Sequence, residues 1–152
     1  VEMNEGAKVF FALHPNPSVR EIVLHELAAT PRVTLLDNLE YPDFVRLLSQ
    51  STLVITDSGG VQEEAASLGI PVLITRESTE RPEVVEAGLG VLVGCRTESI
   101  VQKALALLRE GRFPRQQRYL FGDGNASLRI LRFVSRLFGF PCEDIREFAP
   151  SS

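Results

Sequence analysis

Cysteine is scarce: Cys95 and Cys142 are the only two among 152 residues. They stand alone, without a Cys-x-x-Cys pair or a nearby histidine, so neither a disulfide scaffold nor a zinc site is expected. Long apolar runs are missing too. The longest are five or six residues, against the roughly 20 that a membrane-spanning helix needs. No charged segment leads into an apolar one at the start, so no secretory leader is expected. A basic excess is also absent. With 16 Lys+Arg against 20 Asp+Glu the net charge is −4 and the pI near 5.3, which argues against nucleic acid or an anionic membrane as partner. There is no Gly-x-Gly-x-x-Gly fingerprint, no Walker loop and no nucleophile elbow. No internal repeat or Pro/Gly/Ser linker divides the chain. What remains is ordinary globular composition, 44% hydrophobic and 24% charged, which implies one soluble, cytoplasmic domain.

Five short apolar runs recur along the chain: Val9–Leu13, Val33–Leu36, Leu53–Thr56, Val72–Thr75 and Val91–Val93. They are continuous rather than alternating, the pattern of strands buried on both faces of a parallel sheet. Helical signals fill the intervals. Ser18-Val19-Arg20-Glu21 has the form of a capping box before Ile22, Val23 and Leu27. Pro42 suits a first helical turn ahead of Phe44, Val45, Leu47 and Leu48. A helix from Gly60 to Leu68 meets a stop at Gly69-Ile70-Pro71. Thr97 can cap a helix carrying Ile100, Val101, Ala104, Leu105 and Leu108. A last helix, from about Asn125 to Leu137, sets Leu128, Leu131 and Val134 on one side and Arg129, Arg132 and Arg136 on another, the arginines forming a solvated face. This alternation predicts an α/β fold, a Rossmann-like doubly wound parallel sheet of about five strands.

Ligands of such sheets bind beyond the carboxyl ends of the strands. Three polar loops are expected there and are expected to share one cleft: His14-Pro15-Asn16-Pro17, Asp57-Ser58-Gly59-Gly60 and Arg76 to Pro82. Ser58-Gly59-Gly60 before a helix offers close backbone approach, a hydroxyl and free N–H groups at the positive dipole end, which suits a phosphate. A plain strand-to-helix turn explains the same residues about as well. Glu64, one turn on, could accept hydrogen bonds from a ribose diol, or with Glu63 could simply complement the helix dipole. Of the two arginines around the acidic loop, Arg81, before Pro82, is favoured to face a diphosphate, leaving Arg76 to pair with Glu77, Glu80 or Glu83. His14 is either a proton donor or a satisfied loop histidine. His25 reads as a surface residue. The physical reading is a nucleotide-sugar site.

The segments His14-Pro15-Asn16-Pro17 with Val19-Arg20-Glu21, Thr56 to Ala65, Ser67-Leu68-Gly69, Pro71-Val72-Leu73, Thr79 to Glu83, and Phe121-Gly122-Asp123-Gly124 with Ala126-Ser127 occur together in a characteristic order. Taken together the chain resembles the C-terminal domain of the non-hydrolysing UDP-N-acetylglucosamine 2-epimerases. The resemblance implies one half of a glycosyltransferase-B-like two-domain fold, with residues 1–138 as the UDP-binding domain lacking its first strand and helix, and 139–152 as a tail. It implies an isomerase of polysaccharide biosynthesis that interconverts UDP-GlcNAc and UDP-ManNAc by eliminating UDP and adding it back, without a cofactor or metal.

By the same resemblance Ser58, Gly59 and Gly60 hold the diphosphate, Glu64 the ribose hydroxyls and Arg81 the charge of departing UDP. The loop Asp37-Asn38-Leu39 with Phe44 flanks the uracil, and His14 lines a regulatory UDP-GlcNAc site. The family's catalytic residues lie outside the matched region, so no complete catalytic set is expected here. The expected partners are UDP-GlcNAc, UDP-ManNAc, the missing N-terminal domain and, at full length, a second subunit. Alternatives are a hydrolysing epimerase, the donor domain of a glycosyltransferase, or a non-catalytic nucleotide-sugar-binding fragment.

Overall fold

The structure is a computed structural model that describes residues 4–110 and 119–141. Cys142 and all but the first three residues of the expected tail 139–152 lie outside the described residues. Among the described residues strands and helices alternate as expected for α/β architecture, with a further helix at the end: β1 (Val9–Ala12), α1 (Pro17–Leu27), β2 (Val33–Leu36), α2 (Tyr41–Gln50), β3 (Val54–Thr56), α3 (Gly59–Ser67), β4 (Val72–Ile74), α4 (Pro82–Glu86), β5 (Gly90–Leu92), α5 (Thr97–Glu110) and α6 (Ala126–Leu137). All strand pairings are parallel. The five strands do not form one sheet, however. β1 pairs with β2, and β3, β4 and β5 form a separate three-stranded sheet in that order. The chain accordingly divides into two compact units, 1–47 and 48–152.

In the first unit β1 runs beside β2 with Val9 opposite Val33 and Ala12 opposite Leu36. The expected capping box at Ser18 does not form. Pro17 starts α1 one residue earlier, and Asn16 caps it, its side chain accepting the Ser18 N–H at 3.0 Å. Pro at the first helical position costs nothing there, because that N–H has no helical acceptor anyway. None of the residues of α1 is buried, and β1 is mostly exposed. The expectation that every apolar run is covered on both faces fails here, since burial needs neighbours as well as apolar side chains.

The second unit holds the core. Val72, Leu73 and Ile74 of β4 are fully buried, with Ala65 and Ala66 of α3, Ile70, and Val84 of α4 packed among the buried residues. α3 ends as the glycine predicts. Gly69 takes φ 69°, its N–H bonds to the Ala66 carbonyl, and the Ile70 N–H returns to Ala65 at 2.9 Å. This is a Schellman close that drops Ile70 into the core.

α6 corrects the expected solvated arginine face in part. Its apolar residues Leu128, Ile130, Leu131, Phe133, Val134 and Leu137 are exposed, while of the three arginines Arg136 is exposed and Arg129 and Arg132 are half-buried. Arg129 is mostly covered and forks onto Asp123, both nitrogens at 2.7 Å from the carboxylate oxygens. The Asp123 carboxyl, held chiefly by Arg129 and then by the Asn125 N–H, lies far below the usual carboxylate range.

Candidate functional site

Pairing of β3 with β4 sets Thr56 beside Ile74, and the Thr75 N–H extends the ladder to the Thr56 carbonyl at 3.0 Å. Because the strands are parallel, their carboxyl ends coincide. The loops that leave them therefore start side by side: Asp57-Ser58 into α3, and Arg76 to Arg81 into α4. Two of the three expected loops are brought together in this way, both within the second unit. His14, Leu39 and Phe44 belong to the first unit. His14 is exposed, and its Nδ1 accepts the Asn16 N–H at 3.1 Å. Leu39 and Phe44 are half-buried, and Asp37 pairs with Arg20 at 2.5 Å. His25 is exposed beside Glu26.

Ser58 occupies the N-cap position of α3 with extended backbone, but its side chain makes no capping bond. Its own N–H is taken by Thr56 Oγ1 at 3.0 Å. The first helical bond is from Gln62 N–H to the Ser58 carbonyl. The N–H groups of Gly59, Gly60 and Val61 precede that bond and point out of the helix end, where the dipole is positive. Gly60 is open, with nothing within 4 Å of where a Cβ would stand.

Arg81 completes this end. A Cβ at Gly59 would meet Arg81 Cζ and Nη2 at 3.9 Å, so the guanidinium lies against the glycine backbone at the helix start. Its Nε donates to Glu63 Oε1, and Nη1 donates to the Glu80 carbonyl at 3.0 Å. Arg81, expected to face the ligand, is also braced by Glu63 of α3, a partner that the sequence does not name. Arg76 behaves as expected, forking onto Glu80 with both bonds at 2.7 Å. That pair raises the arginine above its ordinary value and lowers the Glu80 carboxyl, in each case mainly through the shared hydrogen bonds.

Glu64 is half-buried, and its Oε2 is shielded without a donor among the described residues. Two residues before it stands Gln62, fully buried and not among the expected site residues. Its signal was available: Gln62 stands three and four residues before Ala65 and Ala66, on the apolar phase of the helix. Leaving such an amide half-satisfied costs about 1–3 kcal/mol. Thr79 was likewise missed. Its hydroxyl donates to Gln62 Oε1 at 2.6 Å and accepts the Arg81 N–H at 3.1 Å. Cys95 is exposed and its thiol donates to the Thr75 carbonyl at 3.3 Å. Among the described residues no cluster of metal-ligating side chains occurs, and no helix is long and apolar enough to cross a membrane.

A helix end with open N–H groups, two glycines, a braced arginine and a nearby carboxylate can hold a phosphorylated sugar or nucleotide. The family model for UDP-N-acetylglucosamine 2-epimerase matches residues 1–135. The UDP-N-acetylglucosamine 2-epimerase of Escherichia coli K12 is 44% identical over 131 residues, covering 84% of this chain and 35% of that protein. A Staphylococcus aureus structure described as MnaA with UDP superposes with a TM-score of 0.85 at 33% identity, covering 97% of this chain and 40% of the other. The Neisseria meningitidis UDP-GlcNAc 2-epimerase bound to UDP-GlcNAc gives 0.82 at 37% identity, covering 89% and 37%. The chain thus spans between about a third and two-fifths of the length of these relatives. The matched region takes in both loops at the start of α3 and α4, and on these grounds the chain belongs to the UDP-N-acetylglucosamine 2-epimerase family.

Proposed function

We propose that this chain is the UDP-holding part of an enzyme that interconverts UDP-GlcNAc and UDP-ManNAc in the cytoplasm for polysaccharide synthesis. Residues 1–138 form its nucleotide-binding domain. In the reaction a base removes the C2 proton as the C1–O bond breaks, and the electron pair of that bond leaves with UDP. The 2-acetamidoglucal so formed takes a proton on the opposite face of C2 as UDP adds back at C1. Ser58, Gly59 and Gly60 receive the diphosphate at the start of α3, Glu64 accepts from the ribose hydroxyls, and Arg81 offsets the charge on departing UDP.

The observation that carries this reading is the guanidinium of Arg81 lying 3.9 Å from the Cβ position of Gly59. Two positive features, a helix N-terminus and an arginine, converge there, and Glu63 braces the arginine from the side. Such an arrangement favours an anion whose negative charge grows during the reaction. The acid and base that act at C2, each worth about 10²–10⁴ in rate, belong to the part of the relatives that this chain does not span. The isolated chain therefore binds UDP weakly and does not epimerise.

The test is titration of the 152-residue chain with UDP and with uridine, before and after Arg81→Ala. UDP binding falls by about tenfold or more, while uridine binding stays within about twofold, because uridine has no phosphate to lose. Equal losses for both ligands would reduce Arg81 to a loop brace and remove the reading. Turnover of UDP-GlcNAc by the isolated chain would overturn the division of labour.

A further inference from the structure

Gln62 has no solvent exposure, and the buried positions that follow it on α3 are the alanines 65 and 66. Only half of its carboxamide is used: Oε1 accepts from Thr79, and Nε2 has no partner among the described residues. For packing alone an apolar side chain of similar size serves better than a half-satisfied amide. A glutamine at this place therefore points to what its oxygen does. The Thr79 hydroxyl has one proton, and at 2.6 Å that proton is committed to Gln62 Oε1. The oxygen lone pairs then face the Arg81 N–H at 3.1 Å. Arg81 has φ −124° and ψ 62°, outside the helical and strand regions, and Thr79 is the backbone grip that holds it there. From that backbone the side chain reaches Glu63, the Glu80 carbonyl and the Gly59 surface.

We propose, resting on the reading of the α3 N-terminus as a diphosphate site, that Gln62 is a positioning residue for Arg81 and acts through the Thr79 hydroxyl. Gln62 does not touch the ligand. It fixes the rotor of Thr79, Thr79 fixes the backbone of Arg81, and the guanidinium is thereby kept on the phosphate side of Gly59. A role confined to stapling α4 onto α3 would change stability without discriminating between a nucleoside and its diphosphate.

The experiment uses the 152-residue chain, titrated with UDP and uridine, in the variants Gln62→Leu, Thr79→Val and Thr79→Ser. Gln62→Leu and Thr79→Val weaken UDP by about 3- to 10-fold, the loss expected for one hydrogen bond of positioning, and leave uridine within about twofold. Thr79→Ser keeps the hydroxyl and the parent ratio of UDP to uridine affinity. The Arg81 Nε–H resonance, read by NMR without ligand, moves toward the position of a solvated arginine in the first two variants and stays in the third. An unchanged affinity ratio and an unchanged Arg81 resonance in Gln62→Leu would overturn the proposal, as would a Thr79→Ser variant as impaired as Thr79→Val. Should Gln62→Leu fail to fold, the two Thr79 variants decide. Should the parent chain bind no UDP, the diphosphate reading falls by itself, and the Arg81 resonance still tests the positioning.

Discussion

Val9-Phe10-Phe11-Ala12 and Val72-Leu73-Ile74 are alike as strings of apolar residues, yet β4 is buried at all three positions while Phe10 of β1 is 51% exposed. Neighbouring strand residues face opposite sides of a sheet, so full burial of β4 means that both of its faces are covered. β4 has a strand on each edge, and α3 and α5 pack against it. β1 has one strand partner among the described residues, and no residue of the helix that follows it is fully buried. An apolar run specifies a strand, and its neighbours specify whether that strand is core. The consequence for function is direct. The proposed diphosphate loops leave the end of the strand pair that includes this well-packed central member.

Truncation of the two strands tests this contrast and carries the largest expected effects. Leu73→Ala deletes a fully buried side chain and costs about 2–5 kcal/mol, measured by denaturant unfolding or by amide exchange in β3–β5. Phe10→Ala removes a half-exposed ring and costs about 1 kcal/mol or less. Equal costs would show that β1 is as firmly packed as β4.

The glycines sharpen the same comparison between the core and the site rim. A Cβ at Gly90 in β5 would stand 2.9 Å from Val84 Cγ1 and 3.1 Å from Ile74 Cδ1. Gly90→Ala therefore overpacks the core by about 1–3 kcal/mol. Gly60→Ala meets nothing within 4 Å and changes stability by about 0.5 kcal/mol or less, yet it lowers UDP affinity by crowding the helix end. Loss of stability without loss of binding in Gly60→Ala would reverse the assignment of that residue.

The smallest expected effect concerns pH. Arg129 and then Asn125 hold the Asp123 carboxyl low. A depressed carboxyl stabilises the fold fully above its unfolded value near 3.9, and that contribution is lost as pH falls below it toward the folded value. Protection of α6 amides should accordingly be flat from neutral pH to about 4.5 and decline below that. Asp123→Asn, which cannot pair with Arg129 as an anion, should show lower protection throughout and a weaker acid dependence. Identical pH profiles for the two proteins would mean that the pair does not anchor α6.

Much of the local structure of the candidate site is legible in the sequence, because it is set over a few residues. Ser58-Gly59-Gly60 opens a helix and Arg81-Pro82 opens the next, as glycine and proline placement implied, and Arg76 pairs with Glu80 four residues on. The two side-chain contacts that join α3 to the loop before α4 lie between segments. Glu63 braces Arg81, 18 residues away, and Gln62 meets Thr79 across 17. Helical phase marked Gln62 as buried, but nothing in the sequence names the hydroxyl it would meet. α6 misled for the complementary reason. Its periodicity separates apolar from basic residues correctly, and periodicity is silent on which side turns inward. Asp123 draws Arg129 in, and Leu128, Leu131 and Val134 remain exposed.

The sequence by itself determined which segments become strands and helices, and their ends to within a residue or two, because backbone preference, capping and glycine stops act over a few residues. It determined the family as well, since the loop motifs are contiguous. Tertiary structure alone decided that the strands pair as two and three, that β4 and not β1 becomes core, and that Arg81 comes to rest on Gly59 under the hold of Glu63, Thr79 and Gln62. Those outcomes depend on which surfaces meet in space, and side-chain burial and hydrogen bonding are won or lost there.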